Sequence, residues 1–355
     1  MAGLRDHRGG RNGWWRHGNG GYGWVGPLFW PFAYYDMYDY AMWGDADYAP
    51  FWGYGYNDIY AGVFTPYGYD DLAGYLPQGG NDNQPAPASP APAAATDQLA
   101  QMCGEDNREI AGLPIDQIQQ AIQPNDAQRA ALDDLANASV KAAQDIKAAC
   151  PTQLALTAPA RLASMQQRIE AMIAAVGTVQ PPLQKFYSLL NDDQKVRLNA
   201  LGEDQRRGEA AQTKSGSLTQ SCAQPGVTDW PTAEIDATLR PTEAQRAGLV
   251  ALQDASAKAA DMLKASCQTG EAITPPARLE AAGKRLETML QAIKTVRAPL
   301  DSFYATLSDE QKAQFEAIGP RRAALSNRAT VTRPHERRHH ASIGGIIRHF
   351  ISFAR

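Results

Sequence analysis

Histidine is missing from the whole central body of the chain. The six histidines, His7, His17, His335, His339, His340 and His349, all lie in the terminal stretches. Without an imidazole, Ser/His and Cys/His nucleophilic chemistry and most zinc-hydrolase chemistry are excluded between residues 18 and 334. Cysteine is almost as scarce: Cys103, Cys150, Cys222 and Cys267 are the full set. They form no CxxC pair, which argues against zinc ribbons and thioredoxin-type redox motifs. No glycine loop of the phosphate-cradling kind is present, and no cofactor is expected. Long apolar runs are lacking too. The best window, Trp24 to Trp43, is broken by Pro27, Pro31, Asp36 and Asp39 and is too polar to span a bilayer. Residues 1–23 are rich in Gly, Arg and Trp, without the apolar core or small-residue cleavage site of a secretory leader.

What is present is uneven. The chain has 355 residues, room for two ordinary domains and tails. Its formal net charge of -4 makes no global case for nucleic-acid binding. From Arg321 onward, however, arginine dominates and Glu336 is the one acid. Residues 1–80 form a Gly/Tyr/Trp-rich low-complexity region with neither helical nor strand periodicity, which reads as disordered, adhesive or docked on a partner. Residues 81–97 are a Pro/Ala linker, semi-extended by its prolines.

The middle of the chain repeats itself. From Pro124 over Pro241 to Gly202 over Gly319 the register holds without a gap. PNDAQRAALDDLANASVKAAQDIKAAC lies over PTEAQRAGLVALQDASAKAADMLKASC, and PPLQKFYSLLNDDQK over APLDSFYATLSDEQK. The predicted architecture is therefore all-α: two tandem helical-hairpin modules, 98–210 and 211–320, followed by a basic tail over 321–355. Each module is expected to fold alone.

Four helices are predicted per module, at 115–122, 126–149, 159–189 and 192–201 and their equivalents. The second helix carries Leu132, Leu135, Ser139, Ala142, Ile146 and Ala149 at alternating three- and four-residue spacing, a narrow seam along one face. The third holds that spacing from Leu162 to Leu190, and its equivalent from Leu279 to Leu307. Pro181, Pro182 and Pro299 predict a kink late in that helix. The fourth is expected to stop at Gly202 or Gly319, where glycine suits a left-handed cap. Met172, Met289, Phe186, Tyr187, Phe303 and Tyr304 read as core.

Helix starts share one chemistry. Thr242 with Gln245 and Ser308 with Gln311 are capping boxes, and Asn125 with Gln128 and Asn191 with Gln194 repeat the pattern with asparagine as the cap. Leu190 and Leu307 precede the last-helix boxes and staple the incoming chain. These residues resemble the LTxxQ motif of the Spy/CpxP-like periplasmic family, over about residues 100–320. The match departs from the motif where threonine is replaced by Asn191 or Ser308, and where Pro124 or Pro241 follows the leucine-like position. The resemblance implies a non-enzymatic, extracytoplasmic chaperone or envelope-stress protein that binds unfolded or partner polypeptides.

Since each copy keeps one pair of cysteines, bridges Cys103–Cys150 and Cys222–Cys267 are expected, each contributing on the order of 4 kcal/mol through the denatured state. Bridges require export, here periplasmic. The lack of a visible leader is reconciled with this by a misassigned start codon or a trimmed sequence. Basic residues that recur between copies, Arg129, Lys141, Lys147, Arg161 and Arg168 over Arg246, Lys258, Lys264, Arg278 and Arg285, are expected on an exposed face. That face is either a client cradle, with Arg129, Lys141, Arg246 and Lys258 as contacts, or simply solvated. Two other readings stay open: a metal-responsive zinc-binding protein using His335, His339 and His340, and an envelope structural or adhesion protein using residues 1–80. Ser342–Phe353, in the basic tail, is apolar on one helical face and suits an anionic membrane surface.

Overall fold

A computed structural model describes residues 37, 38, 41, 42, 55–64, 115–150, 155, 157–209, 230–267, 274–316 and 318. The seams dictate its helices. In chain order these are α1 (Gly55–Phe64), α2 (Ile115–Ile122), α3 (Asp126–Ala148), α4 (Ala158–Leu189), α5 (Asp192–Glu209), α6 (Thr232–Leu239), α7 (Glu243–Ala265), α8 (Pro275–Ala305) and α9 (Asp309–Glu316). The first module is thus α2–α5 and the second α6–α9. The linker 81–97 and the tail 321–355, with the histidines and the amphipathic stretch proposed there, lie outside the described residues.

Within each module the second and third helices form a hairpin, α3 on α4 and α7 on α8, while the short first helix packs on the fourth. Leu132, Leu135, Ser139, Ala142 and Ile146 are buried, as are all nine positions from Leu162 to Leu190 and all nine from Leu279 to Leu307. Pro181 and Pro182 lie within α4 and Pro299 within α8, and neither helix ends there. The stop expected at Gly202 is not made. α5 continues through it to Glu209, because the Glu, Asp, Gln and Arg residues beyond are helix-tolerant and absorb a glycine cost of about 1 kcal/mol.

The modules do not have separate cores. One cluster of buried apolar residues runs through both and takes in Met37, Met42, Ile59 and Phe64 from the aromatic N-terminal region. Its spine is the packing of α4 on α8. Arg297 donates to Gln166 at 2.8 Å, Lys294 pairs with Glu170 at 3.3 Å, and Gln180 donates to the carbonyl of Pro276 at 3.0 Å. As the α4 number rises the α8 number falls, so the two helices run antiparallel. The pairings centre near Met172 and Met289, which are equivalent residues of the two copies. The tandem repeat therefore folds about an internal pseudo-twofold axis, each copy using the same surface against the other.

That contact needs a second buried stripe on each long helix. On α4 it is Ala158, Arg161, Met165, Arg168, Met172, Ala175 and Val179, and on α8 it is Pro275, Arg278, Ala282, Arg285, Met289, Ala292 and Val296. These too alternate by three and four residues. The seam read as narrow is consequently doubled, and both helices are buried on two faces. Gly283 sits where the helices approach closely: a Cβ there would lie 3.1 Å from Cγ1 of Val176. Gly283→Leu is expected to overpack this contact and cost about 1–3 kcal/mol, seen as a lower midpoint in urea unfolding followed by circular dichroism. An unchanged midpoint would show that the two long helices can part without loss.

Candidate functional site

The motif glutamines build the first site. Gln128 and Gln194 start α3 and α5, and each closes a capping box: the amide of Asn125 donates to Gln128 Oε1 at 3.0 Å, and that of Asn191 to Gln194 Oε1 at 3.0 Å. The two side chains also face each other. Nε2 of Gln128 donates to Oε1 of Gln194 at 2.8 Å, and Nε2 of Gln194 to Oε1 of Gln128 at 2.9 Å. The remaining amide hydrogens reach the carbonyls of Leu189 and Ile122, at 2.8 and 3.0 Å. Every donor of both amides is used, and each oxygen accepts twice. The second module repeats this atom for atom. Gln245 and Gln311 exchange bonds of 2.9 and 3.2 Å, hold the carbonyls of Thr306 and Leu239, and accept from the amides of Thr242 and Ser308.

The carbonyls of Ile122 and Leu239 are exposed to these glutamines because the next residue leaves the helix in the left-handed region. Gln123 has φ 48° and Arg240 φ 46°. Pro124 and Pro241 follow and cannot continue the helix. Glycine is usual at such a position and is absent from both. The pair therefore ties together three chain segments per module: the end of the first helix, the start of the second, and the turn from the third to the fourth.

The second feature is set by arginines. Arg161, Arg168, Arg278 and Arg285, expected on the exposed face, are 6%, 8%, 8% and 2% exposed. They belong to the second stripe of the long helices, which turns inward once the modules pack. Burial of a guanidinium is costly unless its hydrogens are bonded, and here carbonyl groups satisfy much of that need. Arg285 donates to the carbonyl of Leu263 and the hydroxyl of Ser266 at the end of α7, where the helix dipole favours a cation. Arg168 is its counterpart in the first module, and burial lowers its pKa to about 10.

Arg161 and Arg278, also counterparts, reach into the aromatic N-terminal region. Arg161 donates from Nε to the carbonyl of Gly62 at 2.6 Å and from Nη2 to that of Val63 at 3.1 Å. Arg278 donates from the same two atoms to Ala41 and Met42, both at 2.9 Å. Each fork reads two successive carbonyls of a helical segment. Gly62 allows α1 to lie close, since a Cβ there would be 2.9 Å from both Leu162 Cδ2 and Met165 Sδ. On the second module's side, Phe64 meets Trp230 edge-on at 4.6 Å and Phe315 at 5.8 Å. At the other end, Tyr38 donates to Oγ of Ser139 at 2.7 Å, whose own hydrogen goes to Leu135.

Glu316 locks the first of these places. Its carboxylate accepts from the amide of Ala158 at 2.8 Å and from Nη2 of Arg161 at 2.9 Å, joining α9 of one module to the start of α4 in the other. Burial, then the charge and hydrogen bond of Glu316, push the Tyr304 phenol up to about 12. Asn199 occupies the equivalent position to Glu316 in the first module, an amide in place of the carboxylate.

Arg129, Lys141, Arg246 and Lys258 are exposed. Lys141 pairs with Asp145 at 2.7 Å and Arg246 with Asp236 at 2.9 Å. Cys150 and Cys267 follow α3 and α7 and are disulfide-bonded rather than free thiols. Their expected partners Cys103 and Cys222 lie outside the described residues.

The sequence reading missed the arginine forks and the docked aromatic segments. The arginine signal was present as the second three-four stripe, which charge disguised as a solvated face.

Two substitutions test the amide pair. Gln194→Leu leaves the Asn191 amide, the Ile122 carbonyl and half of Gln128 unsatisfied and should cost about 2–4 kcal/mol, measured by urea unfolding. Arg240→Gly relieves a left-handed residue and should leave stability unchanged or raise it by up to about 1 kcal/mol. A loss from the glycine substitution would mean that the Arg240 side chain supports the turn.

No curated protein and no solved structure matches the chain. The profile of the LTXXQ motif family matches it twice, over residues 110–202 and 227–319, each span covering one module with its paired glutamines. The chain belongs to the LTXXQ motif family, with the family unit present as a tandem pair.

Proposed function

We propose that the protein is an extracytoplasmic, non-enzymatic chaperone-like protein that holds unfolded or partner polypeptides without nucleotide. The observation that carries this reading is the double family match, each copy folded around its own glutamine pair. Among the described residues, the buried Gln128, Gln194, Gln245, Arg161 and Arg278 serve as helix caps and carbonyl clamps, roles that accord with this reading. Oxidised Cys150 and Cys267 accord with a periplasmic setting. On the exposed side, Arg129, Lys141, Arg246 and Lys258 stand on α3 and α7 with the exposed valines Val140 and Val250 on the same helices. Scattered charge beside small apolar groups suits loose, sequence-indifferent capture.

Light scattering of a reduced or heat-unfolded client, with and without the full chain, tests the reading. Aggregation should be suppressed at stoichiometric ratio, and protection should fall as salt is raised, because screening shortens to a few ångströms at molar ionic strength. Reversing Arg129, Lys141, Arg246 and Lys258 to Glu should weaken protection several-fold at unchanged helicity, since the surface ion pairs broken are each worth only about 0–1 kcal/mol. Failure to protect several unrelated clients would discard the chaperone reading.

A further inference from the structure

We propose that the two arginine-floored grooves are sequence-tolerant receptors for short apolar helices, and that the aromatic N-terminal segments are their resident ligands, displaced by client polypeptide. This deepens the polypeptide-binding function above and rests on it. The molecule itself supplies two examples of one binding mode. Arg161 and Arg278, equivalent residues, use Nε and Nη2 on successive carbonyls of two segments whose sequences differ. A fork that reads main-chain oxygen carries no side-chain specificity. Selection comes instead from fit: a small residue where the helix lies against Leu162 and Met165, and an apolar or aromatic one against Trp230 and Phe315.

Each groove has walls from both modules. α1 packs on α4 of the first and α7 of the second, and in the other place Arg278 belongs to the second module and Ser139 to the first. The receptors therefore exist only in the paired form. The residents are short, and a tethered occupant lowers the apparent affinity for any other ligand by the fraction of time it is seated. Aromatic, small and aliphatic residues in a short helix are what an unfolded client exposes, so the ligand class is an apolar, aromatic-containing helical segment of a polypeptide.

The test uses the full-length oxidised protein and a fluorescent synthetic peptide with the sequence of Gly55–Phe64, followed by anisotropy. Gly62→Leu in the protein places a side chain against Leu162 and Met165 and should unseat α1 without altering the groove. Peptide affinity should then rise at least about tenfold over the unsubstituted chain. Adding Arg161→Gln should abolish the gain, and a peptide carrying Gly62→Leu should not bind. A peptide of residues 35–43 should compete for the opened groove, as sequence tolerance requires. If Gly62→Leu lowers overall helicity, Tyr60→Ala with Phe64→Ala trims the resident instead and should give the same rise. Equal peptide affinity in the unsubstituted and resident-weakened proteins, or binding indifferent to Arg161→Gln, would overturn the proposal. Aggregation assays on the same proteins separate the two readings. Protection without any peptide site keeps the chaperone and removes the grooves as receptors, whereas peptide binding without protection does the reverse.

Discussion

A pair of side-chain amides holds each module together. An amide can donate two hydrogens and accept two, and in the Gln128–Gln194 and Gln245–Gln311 pairs all of that capacity is committed. Neither a carboxylate, which has no donor, nor a hydroxyl, which has one, could make the same reciprocal contact. The geometry then constrains everything around it. Two helices must start side by side, the first helix must end in a left-handed residue to offer its carbonyl, and the turn after the long helix must pass beside the start of the second. The motif that marks the family in sequence is thus a joint, and the long helices are struts fixed at that joint.

The joint leaves the other ends of the hairpins free to be used in assembly. There the long helices bury arginine rather than leucine, a choice that makes sense because oxygen acceptors, main-chain carbonyls among them, meet the guanidinium groups. Arg285 closes the end of α7, while Arg161 and Arg278 fasten the aromatic segments. Charge in this protein therefore organises the interior between modules, as well as decorating the surface.

How much of this was legible in the sequence differs from element to element. The helices, their caps and the first apolar seam followed from local rules, because a three-four spacing and a capping box each involve residues a turn apart. The duplication was legible for the same reason, as identity in register. The packing of α4 on α8 was not, because the deciding residues are Ala, Gly and Arg, which look like a solvated face until the second module covers them. The glutamines were visible as caps, but their pairing joins positions more than sixty residues apart and leaves no local trace. The aromatic region is the extreme case: Tyr38 and Ile59 are buried by contacts with helices far along the chain, and nothing nearby in sequence announces it.

Fusing two copies into one chain has a consequence for how the protein can evolve. In a symmetric dimer of identical subunits every substitution appears twice, so an acid that secured one groove would secure the other as well. Here Glu316 stands at one position and Asn199 at its counterpart. A carboxylate stands at one place and an amide at the other, an inequality that only a duplicated gene can write. The pseudo-symmetry of the fold is therefore a starting condition from which the halves are free to diverge, each tuning its own occupant.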